Sequence, residues 1–137
     1  AGHKGKKHTK TSGHCTGKNA NATLMVKAAF EKIEQKTQKN PIEVFVKAVE
    51  NACPREEVIT IEYGGARYPK AVECAPQRRI DLALRLMTQG AYQKAFNAKK
   101  SAMDCLADEI IGAYELSQKS AAIAKKHELE RQADASR

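Results

Sequence analysis

The middle of the chain constrains the fold most strongly. Residues 58–63 alternate β-branched and polar side chains, and Gly64 and Gly65 can take the positive φ angles that a two-residue hairpin turn requires. Pro69 lacks a backbone N–H donor, so the returning strand belongs at an exposed edge. A two-stranded ribbon is marginally stable by itself in water. We therefore predict a β-hairpin over about residues 58–73 that packs on helices or projects towards a partner.

Helical periodicity occupies most of the remaining chain. One amphipathic helix runs from about Leu24 to Gln38, and Asn40 is the predicted N-cap of a second, which stops at Cys53 because a proline follows. A third helix is predicted from Pro76 to Gly90, where glycine permits a break; a capped fourth helix begins after Ser101, and a last helix begins near Ser120. The predicted buried positions are Leu24, Ala28, Ala29, Phe30, Ile33, Ile42, Phe45, Val46, Val49, Ile80, Ala83, Leu84, Met87, Leu106, Ile110, Ala113, Ile123 and Leu129.

The first 21 residues differ in composition from the rest. They contain several lysines and no acidic residue, interleaved with glycine, serine, threonine and asparagine, so they cannot bury apolar surface of their own. The predicted fold is therefore mainly α: a helical bundle with a protruding two-stranded β-hairpin and a basic extended N-terminal arm. We assign residues 1–21 to the arm and residues 22–137 to a single helical domain with the hairpin, which the charge and motifs below mark as RNA-binding.

Charge points to a polyanionic partner. The net charge is +8 and the isoelectric point is about 9.4, which is typical of proteins that bind nucleic acid or an anionic membrane surface. The sequence contains neither an apolar run of transmembrane length nor the pattern of a signal peptide, so we expect a soluble intracellular protein without a membrane partner.

No metal or other cofactor is expected. The four cysteines, at 15, 53, 74 and 105, form no Cys-x-x-Cys pair and fit reduced thiols in the cytosol. His3, His8, His14 and Cys15 match no familiar spacing of metal ligands, and a basic unstructured arm explains them better.

Thirteen residues are candidates for contact with RNA, because they place cations or an aromatic ring on the arm, the hairpin or a helix end. They are Lys4, Lys6, Lys7, Lys10, Arg55, Arg67, Tyr68, Lys70, Arg78, Arg79, Lys125, Lys126 and Arg131. The arm lysines would neutralise phosphates without sequence preference, or belong to a merely solvated tail.

Several candidates have an equally simple structural role. Arg78 and Arg79 stand at a helix N-terminus, where a phosphate would be held by several donors, but either can pair with an acidic neighbour such as Glu73 or Asp81. Tyr68 can stack on an unpaired base or pack on its own hairpin. Arg55 can form an ion pair with one of the two acids that follow it, Glu56 and Glu57. Near the C-terminus, Lys125, Lys126 and Arg131 can pair with Glu128 and Glu130 one helical turn away.

Long blocks of this sequence resemble the small-subunit ribosomal protein seven family, in its archaeal and eukaryotic branch. The blocks are Asn40-Pro41-Ile42-Glu43-Val44-Phe45, Lys47-Ala48-Val49-Glu50-Asn51-Ala52, Pro54-Arg55-Glu56-Glu57, Tyr63-Gly64-Gly65, Tyr68-Pro69, Ala71-Val72, Pro76-Gln77-Arg78-Arg79, Asp81-Leu82-Ala83-Leu84-Arg85, Cys105-Leu106-Ala107-Asp108-Glu109-Ile110-Ile111, Lys125-Lys126, Glu128-Leu129-Glu130-Arg131 and Ser136-Arg137. They occur in order and cover most of the chain from about Leu24.

The resemblance implies a helical bundle with a protruding hairpin and a structural role in the cytoplasmic ribosome. Such proteins bind the three-prime major domain of small-subunit ribosomal RNA and nucleate assembly of the head, beside neighbouring head and platform proteins. Their hairpin lies near exit-site transfer RNA and the messenger channel. They usually carry a further segment ahead of the Gly-Lys-Lys loop, which corresponds here to Gly5-Lys6-Lys7, so the resemblance implies that this chain begins late. Ala121 and His127 depart from the residues usual in the family.

Other functions fit the sequence less well. No nucleophile with a base, carboxylate pair or phosphate-binding glycine loop appears in a supporting context, so we do not expect an enzyme. The main alternative is a basic DNA-binding or chromatin-binding module that recognises its target with a helix and a β-ribbon. A binder of anionic membranes would need a surface helix with bulky apolar and basic faces, whereas the apolar stripes here are short enough to be used by a bundle core.

Overall fold

The computed structural model describes residues 17–95 and 97–136. Within these ranges the chain forms five helices and one antiparallel hairpin, which confirms the predicted fold class for the bundle and the hairpin. The elements are α1 (Asn19–Thr37), α2 (Pro41–Ala52), β1 (Glu56–Tyr63), β2 (Ala66–Glu73), α3 (Pro76–Ala95), α4 (Ala102–Tyr114) and α5 (Ala121–Ala135). The predictions for Lys4, Lys6, Lys7, Lys10 and the four arm residues considered as metal ligands lie outside the described residues.

Local sequence signals set the bounds of α2 and α4 as predicted. The Asn40 side chain accepts a hydrogen bond from the backbone N–H of Ile42 at 3.0 Å, and Pro41 occupies the first helical position. Ser101 caps α4 in the same way by accepting from the Asp104 N–H at 3.3 Å. Because each cap depends only on neighbouring residues, the sequence alone identifies these helix starts.

Helix α1 begins earlier than predicted. Its first residue is Asn19, so residues 19–21, which the sequence analysis assigned to the arm, are helical. The Ala22 N–H donates to the Lys18 carbonyl at 3.2 Å, which places the first turn ahead of the apolar periodicity used to locate it. Leu24 was predicted to face the core, but 63% of its surface is exposed, and the first fully buried residue of α1 is Ala29.

Helix α4 is the centre of the bundle and packs against all four other helices. The core around it consists largely of small side chains, including Ala29, Ala48, Ala83, Ala107 and Ala113, all fully buried. Small residues let helix axes approach closely, so neighbouring backbones rather than long side chains fill much of the interior.

Close packing also explains why α3 does not break at Gly90. The helix continues to Ala95, and a Cβ atom at position 90 would lie 2.7 Å from Oε1 of Glu109 and 2.8 Å from Cβ of Ala121. Gly90 therefore serves the contact between α3, α4 and α5 rather than a change in backbone direction. The prediction of a helix end at this residue was wrong.

The buried stripes of α2 and α3 agree only in part with those predicted. Ile42 and Val46 are 61% and 50% exposed, whereas Val44, Ala48 and Ala52 face the core. On α3, Ile80 and Leu84 are likewise exposed, while the buried residues include Ala83 and Met87. The predictions for Ala83 and Met87 are therefore confirmed and those for Ile80 and Leu84 are wrong. Phe30 and Phe45 are partly buried against the core, with ring centroids 5.4 Å apart.

The hairpin extends from the bundle on α5. Its register pairs Glu56 with Glu73 at the base and Tyr63 with Ala66 at the tip, and both strands contact α5. Gly64 and Gly65 have φ angles of 56° and 83°, as predicted for the tight turn. The hairpin is exposed from residue 62 to residue 70. One end is thus anchored on the bundle while the other reaches into solvent.

No helix in the described ranges is long and apolar enough to cross a membrane. Within the same ranges no group of three or more His, Cys, Asp or Glu residues is arranged to hold a metal ion. Three of the cysteines, at positions 53, 74 and 105, are buried free thiols.

Candidate nucleic-acid interface

Two exposed aromatic rings lie side by side near the hairpin tip. Tyr63 and Tyr68 occupy diagonal positions on the two strands, and their ring centroids are 6.4 Å apart with the ring planes tilted by 49°. The two residues are 68% and 55% exposed. The prediction that Tyr68 packs on its own hairpin is therefore correct for its contact with Tyr63, yet most of the surface of both rings remains available.

The strand register separates two predicted contacts that stand next to each other in the sequence. Side chains alternate between the two faces of a strand, so Tyr68 shares one face with Lys70, whereas Arg67 points to the other. On that second face Arg67 Nε donates to Glu62 Oε1 at 2.9 Å, directly across the hairpin. We call the first face the tyrosine face; it carries Glu57, Ile59, Ile61, Tyr63, Tyr68, Lys70 and Val72.

At the hairpin base, Arg78 joins α3 to β1. Its Nε and Nη2 atoms donate to the two carboxylate oxygens of Glu57 at 2.6 and 2.9 Å. The hydrogen bonds and the charge of Glu57 raise the pKa of Arg78 above its usual value. The ion pair expected for this arginine exists, but its partner is Glu57 rather than Glu73 or Asp81. A guanidinium group has five N–H donors, so the half-exposed side chain keeps donors for a further ligand.

Three more predicted residues surround the turn between α2 and β1. Arg79 Nε donates to the carbonyl of Pro54 at 3.2 Å, and Lys126 Nζ donates to the carbonyl of Asn51 at 2.9 Å. The Arg55 N–H donates to Glu130 at 3.5 Å, while its side chain is exposed and, among the described residues, has no ion pair. We call Arg55, Arg78, Arg79 and Lys126 the hairpin-base cluster. Arg78, Arg79 and Lys126 make contacts that hold the hairpin base in place, whereas the side chain of Arg55 faces solvent.

The remaining predicted cations lie on α5. Lys125 Nζ is 3.2 Å from Glu128, the i to i+3 pair anticipated as its structural role. Arg131 is exposed and lines an open depression on α5 with Lys125, His127 and Asp134. Helix α5 therefore presents cations and carboxylates together.

The buried cysteines at the hairpin base are not reactive groups. Burial raises the pKa of the Cys53 thiol, although the charges of Arg79 and Lys126 oppose that effect. Burial likewise raises the pKa of Cys74, and the carboxylate of Glu57 acts in the same direction. A protonated thiol is a poor nucleophile, so these two residues act as packing groups beneath the cluster.

Tyr63 and Glu57 also belong to this surface, although neither was predicted from the sequence. A signal for Tyr63 was present, because a two-residue turn at Gly64 and Gly65 fixes the register and places Tyr63 on the same face as Tyr68. The pairing of Glu57 with Arg78 spans 21 residues and depends on how α3 packs beside the hairpin. No local pattern indicated it.

The arrangement suits recognition of a polyanion. Arg78 and Arg79 lie in the first turn of α3, which contains no acidic residue and whose N-terminal dipole also favours negative charge. Arg55 and Lys126 lie beside the turn between α2 and β1. The projecting hairpin adds Lys70 and two accessible rings. Phosphate groups and unpaired bases are the ligands that match such donors and rings.

Comparisons with known proteins identify the family of this chain. The family profile described as ribosomal protein S7p/S5e matches residues 7–137. The small ribosomal subunit protein uS7 of Nanoarchaeum equitans is 56% identical over 137 residues, which cover the whole chain and 69% of the relative. The proteins of the same name from Archaeoglobus fulgidus and Methanothrix thermoacetophila are 53% and 48% identical over 91% and 89% of the chain. In these two comparisons the chain covers 64% and 66% of the relative, slightly less than two thirds of its length. The chain belongs to the ribosomal protein S7p/S5e family.

Proposed function

We propose that this protein is a structural component of the small ribosomal subunit in the cytoplasm and that it binds ribosomal RNA. Family members are structural, non-enzymatic proteins. The observation that carries the proposal is the hairpin-base cluster, in which Arg55, Arg78, Arg79 and Lys126 lie around the start of β1 and the start of α3. Clustered cations on a rigid scaffold supply the salt-sensitive affinity that RNA phosphates require.

Within the subunit we assign the chain to the three-prime major domain of the ribosomal RNA and to an early step in head assembly. The hairpin would then lie near exit-site transfer RNA and the messenger channel, with neighbouring head and platform proteins around the bundle. Two features support the assignment: the matched sequence covers nearly the whole chain, and the hairpin reaches away from the bundle with its tip exposed.

The predicted site residues differ in how far contacts within the protein already occupy their side chains. Lys70, Arg55 and Arg131 are exposed, and within the described ranges none of their side chains forms an ion pair, so we propose them as direct phosphate contacts. Arg78 and Lys126 hold the hairpin base and can offer their remaining donors to RNA. Arg67 and Lys125 are paired with glutamates and contribute less. The arm residues Lys4, Lys6, Lys7 and Lys10 are proposed as additional, sequence-independent contacts.

The test is a binding measurement with the purified chain at near-physiological salt. The ligands are the isolated three-prime major domain, an unrelated folded RNA of equal mass and duplex DNA. We expect clear preference for the ribosomal domain, with an affinity that falls steeply as salt rises. Equal affinity for all three ligands would reject the ribosomal assignment and favour a general basic module of the DNA-binding or chromatin-binding type.

A charge-matched pair of variants sharpens this test. Lys70→Gln removes an exposed cation of the hairpin, and Lys27→Gln removes an exposed cation of α1, so both lower the net charge by the same amount. If the hairpin contacts the RNA domain, the first variant weakens binding more than the second. Equal losses would mean that only the total charge of the protein matters.

A further inference from the structure

We propose that the tyrosine face of the hairpin is a stacking surface for unpaired bases of single-stranded RNA, held by Tyr63 and Tyr68. This inference rests on the proposed function and specifies which part of an RNA meets which face of the hairpin. It adds Tyr63, Ile59 and Ile61 to the contact surface and removes Arg67 from it.

Ring exposure is the first observation. Tyr63 and Tyr68 are 68% and 55% exposed, and Ile59 beside them is 41% exposed, so a strip of apolar surface lies on an element that projects into solvent. The rings touch at a tilt of 49° and do not cover each other's faces. A planar base can therefore stack on either ring while resting against the isoleucine beside it.

The distribution of charge between the two faces is the second observation. The hairpin contains four glutamates, and the register places three of them, Glu56, Glu62 and Glu73, on the face opposite the tyrosines. The fourth, Glu57, lies at the base of the tyrosine face, where both carboxylate oxygens are bound by Arg78. The opposite face thus carries three carboxylates and one cation, Arg67, which is paired with Glu62. The tyrosine face offers a polyanion Lys70 and the outer donors of Arg78.

The order of groups along this face fits a single strand. The face runs from Arg78 and Glu57 at the base, past Lys70 and Ile59, to Tyr68 and Tyr63 near the turn, a distance of about 20 Å at the usual rise of a β-strand. An RNA strand lying along this face could place phosphates against the cations at the base and unpaired bases against the rings near the turn. Bases in a duplex are already stacked on each other, so the rings select unpaired nucleotides.

The experiment uses the complete chain and a short unstructured oligouridylate as the probe. In the first variant, Tyr63→Leu and Tyr68→Leu are combined, which keeps apolar bulk and removes both rings. In the second, Tyr63→Phe and Tyr68→Phe keep the rings and lose only the hydroxyl groups. The control is Thr60→Ala, which changes an exposed residue of the opposite face and leaves the net charge unchanged.

We expect the leucine variant to bind the oligouridylate at least about tenfold more weakly than the unchanged protein, because stacking on an aromatic ring contributes on that order per base. The phenylalanine variant and the opposite-face control should bind as the unchanged protein does. Thermal unfolding of all three variants should be close to that of the parent, since the changed residues are exposed.

Two outcomes would overturn the proposal. Unchanged oligouridylate binding by the leucine variant would show that the rings do not stack on bases, and weaker binding by the opposite-face control alone would place the RNA on the other face. Binding of the three-prime major domain is measured in parallel with the same proteins. If the domain is still preferred while the leucine variant binds the oligouridylate normally, the stacking inference fails and the proposed function stands.

Discussion

The carboxylate of Glu109, fully buried on α4, accepts a hydrogen bond from the hydroxyl of Ser120 at 3.0 Å. The same carboxylate accepts from the Ala121 N–H at 3.1 Å and lies 2.8 Å from Lys94 Nζ on α3. Ser120 precedes α5, but its side chain makes no capping bond to its own helix. Glu109 of α4 thus accepts the hydrogen bond of a backbone N–H in the first turn of α5, and it also links α3, α4 and α5.

Glu109→Ala should destabilise the protein by about 2–4 kcal/mol, because the Ser120 hydroxyl and the Ala121 N–H would lose their acceptor in a buried place. Glu109→Gln keeps one acceptor oxygen and should cost less. Urea denaturation measures both differences, with Glu31→Ala on the exposed surface of α1 as the control. A loss no larger for Glu109→Ala than for the control would contradict this role.

Gly90→Ala should lower stability even though alanine is normally favoured over glycine in a helix by about 1 kcal/mol. The added Cβ would lie 2.7 Å from Glu109 Oε1 and 2.8 Å from Ala121 Cβ, so α5 has to move; we expect a net loss of about 1–3 kcal/mol. Gly112→Ala is a graded comparison, since its Cβ would approach Ser120 Cβ only to 3.3 Å. Thermal unfolding should place Gly90→Ala below both the parent and Gly112→Ala.

The contact between α1 and α4 should make stability depend on pH. Asp104 forms an ion pair with Lys32 and a hydrogen bond with Ser101, and these interactions hold the pKa of its carboxyl below the usual value. A lowered pKa in the folded state means that the carboxylate stabilises the fold above the unfolded pKa of about 3.9, and that this contribution is lost as pH falls through the folded value.

The matching variant is Asp104→Asn. Its urea midpoint should lie below that of the parent at neutral pH, and the difference should shrink in acid below about pH 4. Raised salt should also reduce the difference at neutral pH, because the pair is partly exposed. A gap between the two midpoints that stayed constant from neutral to acid pH would assign the effect to packing rather than to charge.

Arg78 and Arg79 should separate in their effects. Arg78→Ala removes a half-exposed ion pair, so we expect less than about 1 kcal/mol of lost stability, together with weaker RNA binding and a salt dependence shallower by about one unit. Arg79→Ala also removes the bond to the carbonyl of buried Pro54 and should cost about 1–2 kcal/mol. Binding titrations over a salt series and thermal unfolding of each variant distinguish the two. If Arg78→Ala unfolds at a much lower temperature than Arg79→Ala, the assigned roles are reversed.

Much of the local structure follows from neighbouring residues. Asn40 and Ser101 cap their helices, Pro54 ends α2, and the two glycines at 64 and 65 turn the hairpin, all as expected from the sequence. These features depend on hydrogen bonds and dihedral angles within a few residues, so sequence patterns are sufficient to find them. The basic candidates on the hairpin and at the start of α3 were also recognisable as a group, although their contacts with RNA remain predictions.

Tertiary packing decided the features that depend on distant partners. Ile42, Val46, Ile80 and Leu84 fit the apolar stripes of their helices, yet they are exposed in the folded chain. Gly90 lies inside a helix because two other helices approach its backbone. The sequence by itself therefore determined the elements, their caps and the cationic character of the surface. Only the folded chain decided which apolar residues of α2 and α3 are buried and that Arg78 meets Glu57, because these depend on how surfaces far apart in the sequence fit together.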